Sequence, residues 1–392
     1  MTADRRHDER PALFVPSGTA TLRPFGLDAR MRAYRVAAMA GLDPGSAESL
    51  REDGGRGVVI QDIGHVVSPG WIDYIVARPG HLLVHRGRPV LAHARRPAER
   101  IEAERLFAGA APSDAVFTLV DCEATDLVAV DQRHRPFVAA LHDNADLAAI
   151  ERALYDAATP RVSDMVTLAL LRLPGFEIAR AAARVGVTAN RISLIAAIFA
   201  LLAFIAFWKA AYGVGILCAF VTMMADSVDG KLAKVTGTSS LLGRRLDRAL
   251  GLAHPPLWYV GWMHGVQLGE RMLEPVYAAL LTTTIIAAFV AIRSIEYFFE
   301  RRHGFPMSLW RRFDSRFRLV AARRNVNILI LTASLLLMRP EWGIQWVAFW
   351  SIVTLIVFAT RQSVARGRLL RRLRPTSWLE DRAEAAQQEA AA

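Results

Sequence analysis

Three aspartates in the middle of the chain are the residues whose types and spacing best fit a chemical site. Asp226 and Asp229 stand three residues apart, directly after the apolar run 211–225. On a helix these two positions share one face, so both carboxylates can point at one place. Asp247 follows just before a second apolar run that starts at Leu252. Carboxylates held close together favour protonation unless they share a cation, and oxygen ligands without His or Cys favour Mg²⁺, Mn²⁺ or Ca²⁺ over zinc.

The stretch that holds these acids, DSVDGKLAKVTGTSSLLGRRLDRALG, resembles the signature of the CDP-alcohol phosphotransferase family. That signature reads D-x-x-D-G-x-x-A-R, a spacer, and G-x-x-x-D-x-x-x-D. Six positions match it in order and at the right distances: Asp226, Asp229, Gly230, Ala233, Gly243 and Asp247. Lys234 replaces the arginine, which keeps the charge but loses the planar fork. Gly251 replaces the last aspartate, which by the resemblance would complete the site and act as base on the incoming alcohol.

The resemblance implies displacement of CMP from a CDP-linked alcohol by the hydroxyl of a second alcohol. It makes Asp226, Asp229 and Asp247 ligands of Mg²⁺ or Mn²⁺, which would bridge the diphosphate oxygens. The nucleotide floor would consist of the small residues Gly230, Ala233 and Gly243, which let a ligand approach the helix backbones closely. Lys234 and Arg244 are candidates for phosphate contacts, although basic residues beside membrane spans also have a topological role.

Gly251 leaves three interpretations open. Water can fill the gap in the metal site, since Mg²⁺ commonly keeps several waters. His254 can serve as base instead, although packing beside Pro255 and Pro256 is the favoured explanation of that histidine. Finally, the protein can be a catalytically silent membrane homologue that binds a CDP-lipid or a partner enzyme. A purely structural pairing of the acids with neighbouring basic residues, and a transporter, are weaker alternatives.

The composition favours a membrane protein over a nucleic-acid-binding one. The 392 residues are 53% hydrophobic, yet the net charge is +11. Six apolar segments account for this combination: 192–208, 211–225, 252–268, 276–298, 326–338 and 342–360. Clusters of Lys and Arg follow the second, fourth and sixth segments, whereas the other connections hold only Lys209, Arg271 and Arg339. Under the positive-inside rule, both termini and the three acids lie on the cytoplasmic side of the inner membrane.

The predicted fold is therefore an all-α membrane domain with six transmembrane helices, preceded by a small cytoplasmic α/β domain. The boundaries are 1–160 for the α/β domain, 161–190 for amphipathic juxtamembrane helices, 191–362 for the spans and 363–392 for a basic, then polar tail. The N-terminus lacks the apolar region of a secretory signal. The predicted partners are the CDP-alcohol donor, the alcohol acceptor and membrane lipids, with no nucleic acid, and the resemblance implies a homodimer.

Within the α/β domain, the pattern predicts helices at 30–42, 96–107 and 147–157. Two β-hairpins are expected, one from 81–84 with 90–93 and one from 127–130 with 137–141. The loop GTATLRPFG, Gly18 to Gly26, faintly resembles the phosphate-binding opening of sugar nucleotidyltransferases. An ordinary strand-to-helix turn explains it better, so the domain is at most a degenerate remnant of that fold.

Overall fold

The computed structural model describes residues 11–51, 55–111, 116–142, 145–238, 241–370, 373 and 375–391. An N-terminal α/β domain is followed by a helical domain. The strands are β1 (Leu13–Ser17), β2 (Asp43–Pro44), β3 (Val58–Asp62), β4 (His65–Val67), β5 (His81–His85), β6 (Arg88–Ala94), β7 (Thr118–Asp121) and β8 (Val138–Ala140). The helices of this domain are α1 (Ala29–Met39), α2 (Pro69–Val76), α3 (Pro97–Phe107), α4 (Leu127–Val130) and α5 (Leu147–Ala157).

Six strands form one mixed sheet in the order β2-β1-β3-β6-β5-β7. β1 runs parallel to β2 and β3, while β6 pairs antiparallel with both β3 and β5. The central strand β3 is buried over Val58–Gln61, as expected for a strand covered on both faces. This domain confirms an α/β region ahead of the spans.

The first predicted hairpin is confirmed, because β5 and β6 pair antiparallel. The second is wrong. Residues 127–130 form α4, whose N-cap Asp126 accepts a hydrogen bond from the N–H of Val128. β8 pairs instead with β4, more than 70 residues earlier in the sequence. A four-residue apolar run fits a strand or a helical turn equally well, and here the aspartate cap and a distant partner decide the outcome.

The helical domain begins with a π-helical segment, Thr167–Leu171, that leads into α6 (Arg172–Arg184). The long helices follow: α7 (Ala189–Trp208), α8 (Tyr212–Thr236), α9 (Leu241–Gln267), α10 (Pro275–His303), α11 (Arg312–Val320), α12 (Arg324–Leu336), α13 (Pro340–Leu370) and α14 (Trp378–Ala391). α8 packs against α6, α7 and α12. Its central position in the bundle lets it present side chains to several neighbours at once.

Four helices, α7, α8, α10 and α13, are long and apolar enough to cross a membrane. In the described part of the chain, α11 and α12 meet this criterion only as a pair, with a bend of 42° between them. The helical domain therefore contributes four or five spanning candidates. α9 contains the predicted third segment, but it begins with polar turns and does not meet the criterion itself.

The α/β domain and the helical domain share one apolar core. Trp71 and Ile72 of α2 belong to the same buried cluster as Val228 and Leu232 of α8. Polar contacts fix the C-terminal end of α8 on α1. The buried Arg32 donates from Nε to the carbonyl oxygen of Val235 at 2.9 Å. Burial lowers the pKa of Arg32 to about 10, so the guanidinium is still charged at neutral pH and can satisfy a helix-end carbonyl.

A glycine ends α8 at the same contact. Gly237 has φ +69°, and a Cβ added there would lie 2.6 Å from Cβ of Arg35 and 2.9 Å from the backbone N of Val36. Gly304 ends α10 in a similar left-handed conformation, with φ +82°, but an added Cβ would meet none of the described atoms within 4 Å. The two glycines therefore differ in their neighbours rather than in their backbone.

Replacing each glycine by alanine measures this difference. Both variants incur the left-handed penalty of about 1–2 kcal/mol, but Gly237→Ala also forces α1 away from α8. We expect Gly237→Ala to be the less stable variant by about 1–3 kcal/mol, the usual range for overpacking. Thermal unfolding in detergent tests this expectation. Equal unfolding midpoints for the two variants would contradict the close packing of α1 on α8.

Candidate functional site

Two neighbouring helices bring the three predicted acids together. Asp226 and Asp229 lie one turn apart on α8, and Asp247 lies on α9. Each offers a carboxylate oxygen, and these oxygens all lie within 4.8 Å of one another. Among the described residues, this is the one group of three or more acidic, His or Cys side chains that is compact enough to hold a metal ion. The prediction that Asp226 and Asp229 share one face of a helix is confirmed.

Asp229 is the most enclosed of the three acids, with 3% of its surface exposed. Ser193 of α7 donates from Oγ to its Oδ2 at 2.5 Å, and the backbone N–H of Gly230 donates to its Oδ1. These two donors fix the carboxylate without neutralising it, and among the described residues no Lys or Arg forms an ion pair with it. A buried carboxylate without a cationic partner is costly, so the arrangement suits a bound cation.

Asp226 has a basic partner that the sequence motif does not contain. Arg324, the first residue of α12, forms an ion pair from Nη1 to Asp226 Oδ2. The same nitrogen lies 2.8 Å from Nε2 of His254, whose Nδ1 lies 2.7 Å from the carbonyl oxygen of Leu250. The Leu250 carbonyl can only accept, so Nδ1 of His254 carries a proton and Nε2 accepts from Arg324. Both ring nitrogens of His254 are therefore engaged.

A cavity of about 450 Å³ opens above the acids. Besides Asp226, Asp229 and Asp247, its lining includes Asn190, Ser193, Gly230, Lys231, Ala233, Lys234, Thr238, Gly243, Arg324 and Asn325. Gly230 presents an open backbone to this space, since an added Cβ would meet none of the described atoms within 4 Å. The volume lies within the usual range for small-molecule sites, roughly 300–1,000 Å³.

All predicted floor residues line this cavity, and so does Lys234. Its ammonium lies 2.8 Å from Nε2 of His134 and 3.3 Å from the carbonyl oxygen of Ala158. Both partners belong to the N-terminal part of the chain. Arg244 lies on α9, but its side chain is outside the described part of the structure. Its predicted phosphate contact stays a prediction.

A second cavity of about 360 Å³ is lined by Asp226 and by Gly251, the position of the last motif aspartate. An added Cβ at Gly251 would meet none of the described atoms within 4 Å. The lining of this second cavity includes Asp164, Asp226, Asp247, Arg248, Gly251, Arg293, Arg318, Arg323, Arg324 and Asn325. The position therefore has room for a carboxylate.

Among the four arginines Arg293, Arg318, Arg323 and Arg324, three have acidic partners, and Arg324 pairs with Asp226. Glu296 pairs with Arg323 and, at 3.2 Å, with Arg293. Among the residues that the structure describes, nothing hydrogen-bonds to the buried Nη1 of Arg318 or Nε of Arg323. Buried donors normally have acceptors, so Arg318 and Arg323 are only partly satisfied by the described residues.

Sequence reasoning did not assign these arginines to the site. Three of them, Arg318, Arg323 and Arg324, lie in the basic stretch after the fourth apolar segment, where topology alone explained them. Arg293 carried a stronger signal, because it interrupts an apolar run, and ionisable residues at membrane depth usually mark a functional site. Asp164, which accepts from Nδ2 of Asn325 at 3.2 Å, gave no such signal.

The comparison with protein families covers this helical region. Residues 186–360 match the family model described as CDP-alcohol phosphatidyltransferase. The match includes α7 to α12 and most of α13, and therefore all three acids, Gly251 and Arg324. It does not extend to the α/β domain. No curated protein sequence matches the chain.

Proposed function

Residues 186–360 are a CDP-alcohol phosphatidyltransferase domain, and from this premise we propose that the chain transfers a phosphoalcohol group from a CDP-alcohol to an acceptor hydroxyl and releases CMP. The family implies phosphoalcohol transfer in lipid synthesis. The observation that carries the proposal for this chain is the convergence of the carboxylates of Asp226, Asp229 and Asp247 on the floor of the 450 Å³ cavity.

The family depends on divalent metals, and the residues present fit such an ion. We propose that Asp226, Asp229 and Asp247 hold Mg²⁺ or Mn²⁺, because the donors are all carboxylate oxygens. A divalent ion stabilises negative charge on diphosphate oxygens and on the departing CMP. The open backbone at Gly230, with Ala233 and Gly243, allows close approach of the nucleotide. Lys234 and Arg244 are the proposed phosphate contacts.

We propose that Arg324 fixes the Asp226 carboxylate beside the position of the missing fourth carboxylate. Its guanidinium borders both cavities and orients Asp226. We propose that His254 holds Arg324 in place, rather than taking the acceptor proton, since both of its ring nitrogens are already engaged. Water in the open space at Gly251 is then the proposed proton acceptor.

The arginine-lined cavity supports an anionic acceptor. Arg293, Arg318, Arg323 and Arg324 line it, and arginine forks match phosphate and carboxylate groups. The cavity adjoins Asp226 and Asp247, so a hydroxyl of a molecule bound in it lies beside the metal-binding acids. We propose a phosphorylated alcohol or another acidic alcohol as the acceptor.

We further propose six spans, with α9 and α12 completing the four clear candidates. The 27 residues of α9, at about 1.5 Å each, are long enough for a hydrocarbon core of about 30 Å. Alternation of basic connections supports an inner-membrane protein with both termini, the α/β domain and the acids on the cytoplasmic side. The family resemblance extends the proposal to a homodimer.

CMP release by purified protein tests the proposed reaction. We expect release with Mg²⁺ or Mn²⁺, one CDP-alcohol and an anionic alcohol, and loss of release after chelation with EDTA that added metal restores. A neutral alcohol of similar size is the control for the acceptor. A set of CDP-alcohol and acceptor pairs that yields no CMP, beside an active family member under the same conditions, would contradict the proposal.

The silent-homologue alternative remains the second candidate, because Gly251 provides no fourth carboxylate. It predicts that the chain binds a CDP-alcohol with Mn²⁺ but releases no CMP. Isothermal titration calorimetry with CDP and Mn²⁺ separates it from a chain that does not bind nucleotide at all.

A further inference from the structure

Elements outside the family domain hold the lysines of the signature stretch. Lys234 contacts His134, which precedes β8, and Ala158, which follows α5. Lys231 donates to the hydroxyl oxygen of Tyr155 on α5 at 3.3 Å. All three partners lie upstream of residue 186, where the family match begins. The α/β domain therefore reaches into the wall of the proposed nucleotide cavity.

Asp131 fixes the orientation of the His134 ring that contacts Lys234. Asp131 Oδ2 lies 2.9 Å from Nδ1 of His134, and Asp131 Oδ1 accepts from the backbone N–H groups of Arg133 and His134. Burial alone would raise the pKa of Asp131, but its hydrogen bonds to His134 and the nearby backbone hold the pKa below its usual range. Asp131 is therefore ionised and accepts from Nδ1. The lone pair of Nε2 then faces the ammonium of Lys234.

The geometry leaves Lys234 available to a ligand. Its ammonium has three donors, and His134 and Ala158 are the acceptors for two of them among the residues that the structure describes. Lys234 lines the 450 Å³ cavity together with Ala158 and Pro160. A lysine side chain is flexible, so holding it in one position costs rotamer entropy. Two fixed acceptors remove that freedom before a ligand binds.

We propose that Asp131 and His134 of the α/β domain are positioning residues of the transfer site: they hold the Lys234 ammonium at the cavity wall, where its remaining donor binds the diphosphate of the CDP-alcohol. This inference rests on the proposed function for the identity of the ligand. It gives the α/β domain a task in donor binding that does not require a nucleotide site of its own. It also accounts for a lysine at this position, whose compact ammonium fits between His134 and Ala158.

His134→Ala tests the proposal in the full-length protein, with CDP and Mn²⁺ as the probe in calorimetry. We expect the Kd for CDP to rise about 10-fold, the lower end of the usual effect of losing a supporting residue. His134→Gln places an acceptor oxygen near the position of Nε2, and we expect it to restore most of the affinity. His142→Ala, at an exposed histidine of the same domain, is the matched control and should leave the Kd unchanged.

Two further readouts separate positioning from simple domain stability. In the Lys234→Met background, we expect His134→Ala to change the Kd for CDP less than 2-fold, because coupled residues are not additive. In the CMP-release assay, the KM for the donor should rise while the KM for the acceptor stays within 2-fold. Independent effects of the two substitutions, or equal increases in both KM values, would overturn the positioning role.

The experiments can contradict the positioning role of His134 and the proposed transfer reaction separately. A wild-type protein that binds CDP but releases no CMP contradicts the transfer reaction, while a weaker Kd in His134→Ala still supports the inference. A His134→Ala variant that binds CDP as tightly as the wild-type protein contradicts the inference, whether or not the protein releases CMP.

Discussion

Asp229→Asn is expected to remove high-affinity Mn²⁺ binding and to lower the rate of CMP release by about 10²–10³-fold, the range for loss of one electrostatic stabiliser in an active site. Asp229 is the most buried of the three acids, and Ser193 and Gly230 fix both of its oxygens. Asparagine keeps the shape but removes the negative charge that a divalent ion requires. The measurements are Mn²⁺ binding by electron paramagnetic resonance and CMP release at saturating metal.

A matched control for this substitution is available on α1. Asp28 is an exposed N-cap residue that accepts from the N–H of Met31, and asparagine caps helices about as well as aspartate. Asp28→Asn should therefore leave Mn²⁺ binding and CMP release unchanged. Ser193→Ala should show an intermediate effect of about 10-fold, as the loss of a supporting hydrogen bond. If Asp229→Asn kept the Mn²⁺ affinity of the wild-type protein, the three acids would not form the metal site.

The acid cluster was predictable because its three residues lie close together in the sequence. Asp226 and Asp229 share a helix face by spacing alone, and Asp247 follows after one short connection. Apolar runs predicted the long helices for the same reason, although α8 continues well past the run that ends at residue 225. In this extension, Val228, Leu232 and Val235 belong to the buried cluster that includes the α/β domain, and α6 packs on α8.

The remaining parts of the site depend on contacts between distant residues. Arg324 lies 98 residues from Asp226, and His134 lies 100 residues from Lys234. Neither pair has a periodicity or a spacing that a single sequence reveals. The positive-inside rule alone explains the basic stretch that contains Arg324. The sequence therefore gives no indication of the contact between Arg324 and Asp226. The misassigned hairpin at 127–130 has the same cause, because the pairing of β8 with β4 is set by tertiary packing.

Restoring the carboxylate at position 251 is expected to give the largest increase in the rate of CMP release. We expect Gly251→Asp to accelerate CMP release by about 10²-fold, the lower end of the usual contribution of a general base. The helix accepts the change, since aspartate is no worse than glycine in a helix interior and an added Cβ meets none of the described atoms within 4 Å. The new carboxylate would share the 360 Å³ cavity with Asp247 and Arg324. It can attract the Arg324 guanidinium and free Asp226 Oδ2 for the metal, so Mn²⁺ affinity should rise as well.

Gly251→Asn and Gly251→Ala are the controls that separate charge from shape and helix propensity. Neither side chain accepts a proton at neutral pH, so neither variant should accelerate CMP release or bind Mn²⁺ more tightly. Single-turnover CMP release compares the rates of the chemical step directly. If Gly251→Asp and Gly251→Asn behaved alike, the carboxylate would not be acting as a base. Release that appears only in Gly251→Asp would contradict water as the proton acceptor and support the silent-homologue alternative, whose nucleotide binding is measured by calorimetry.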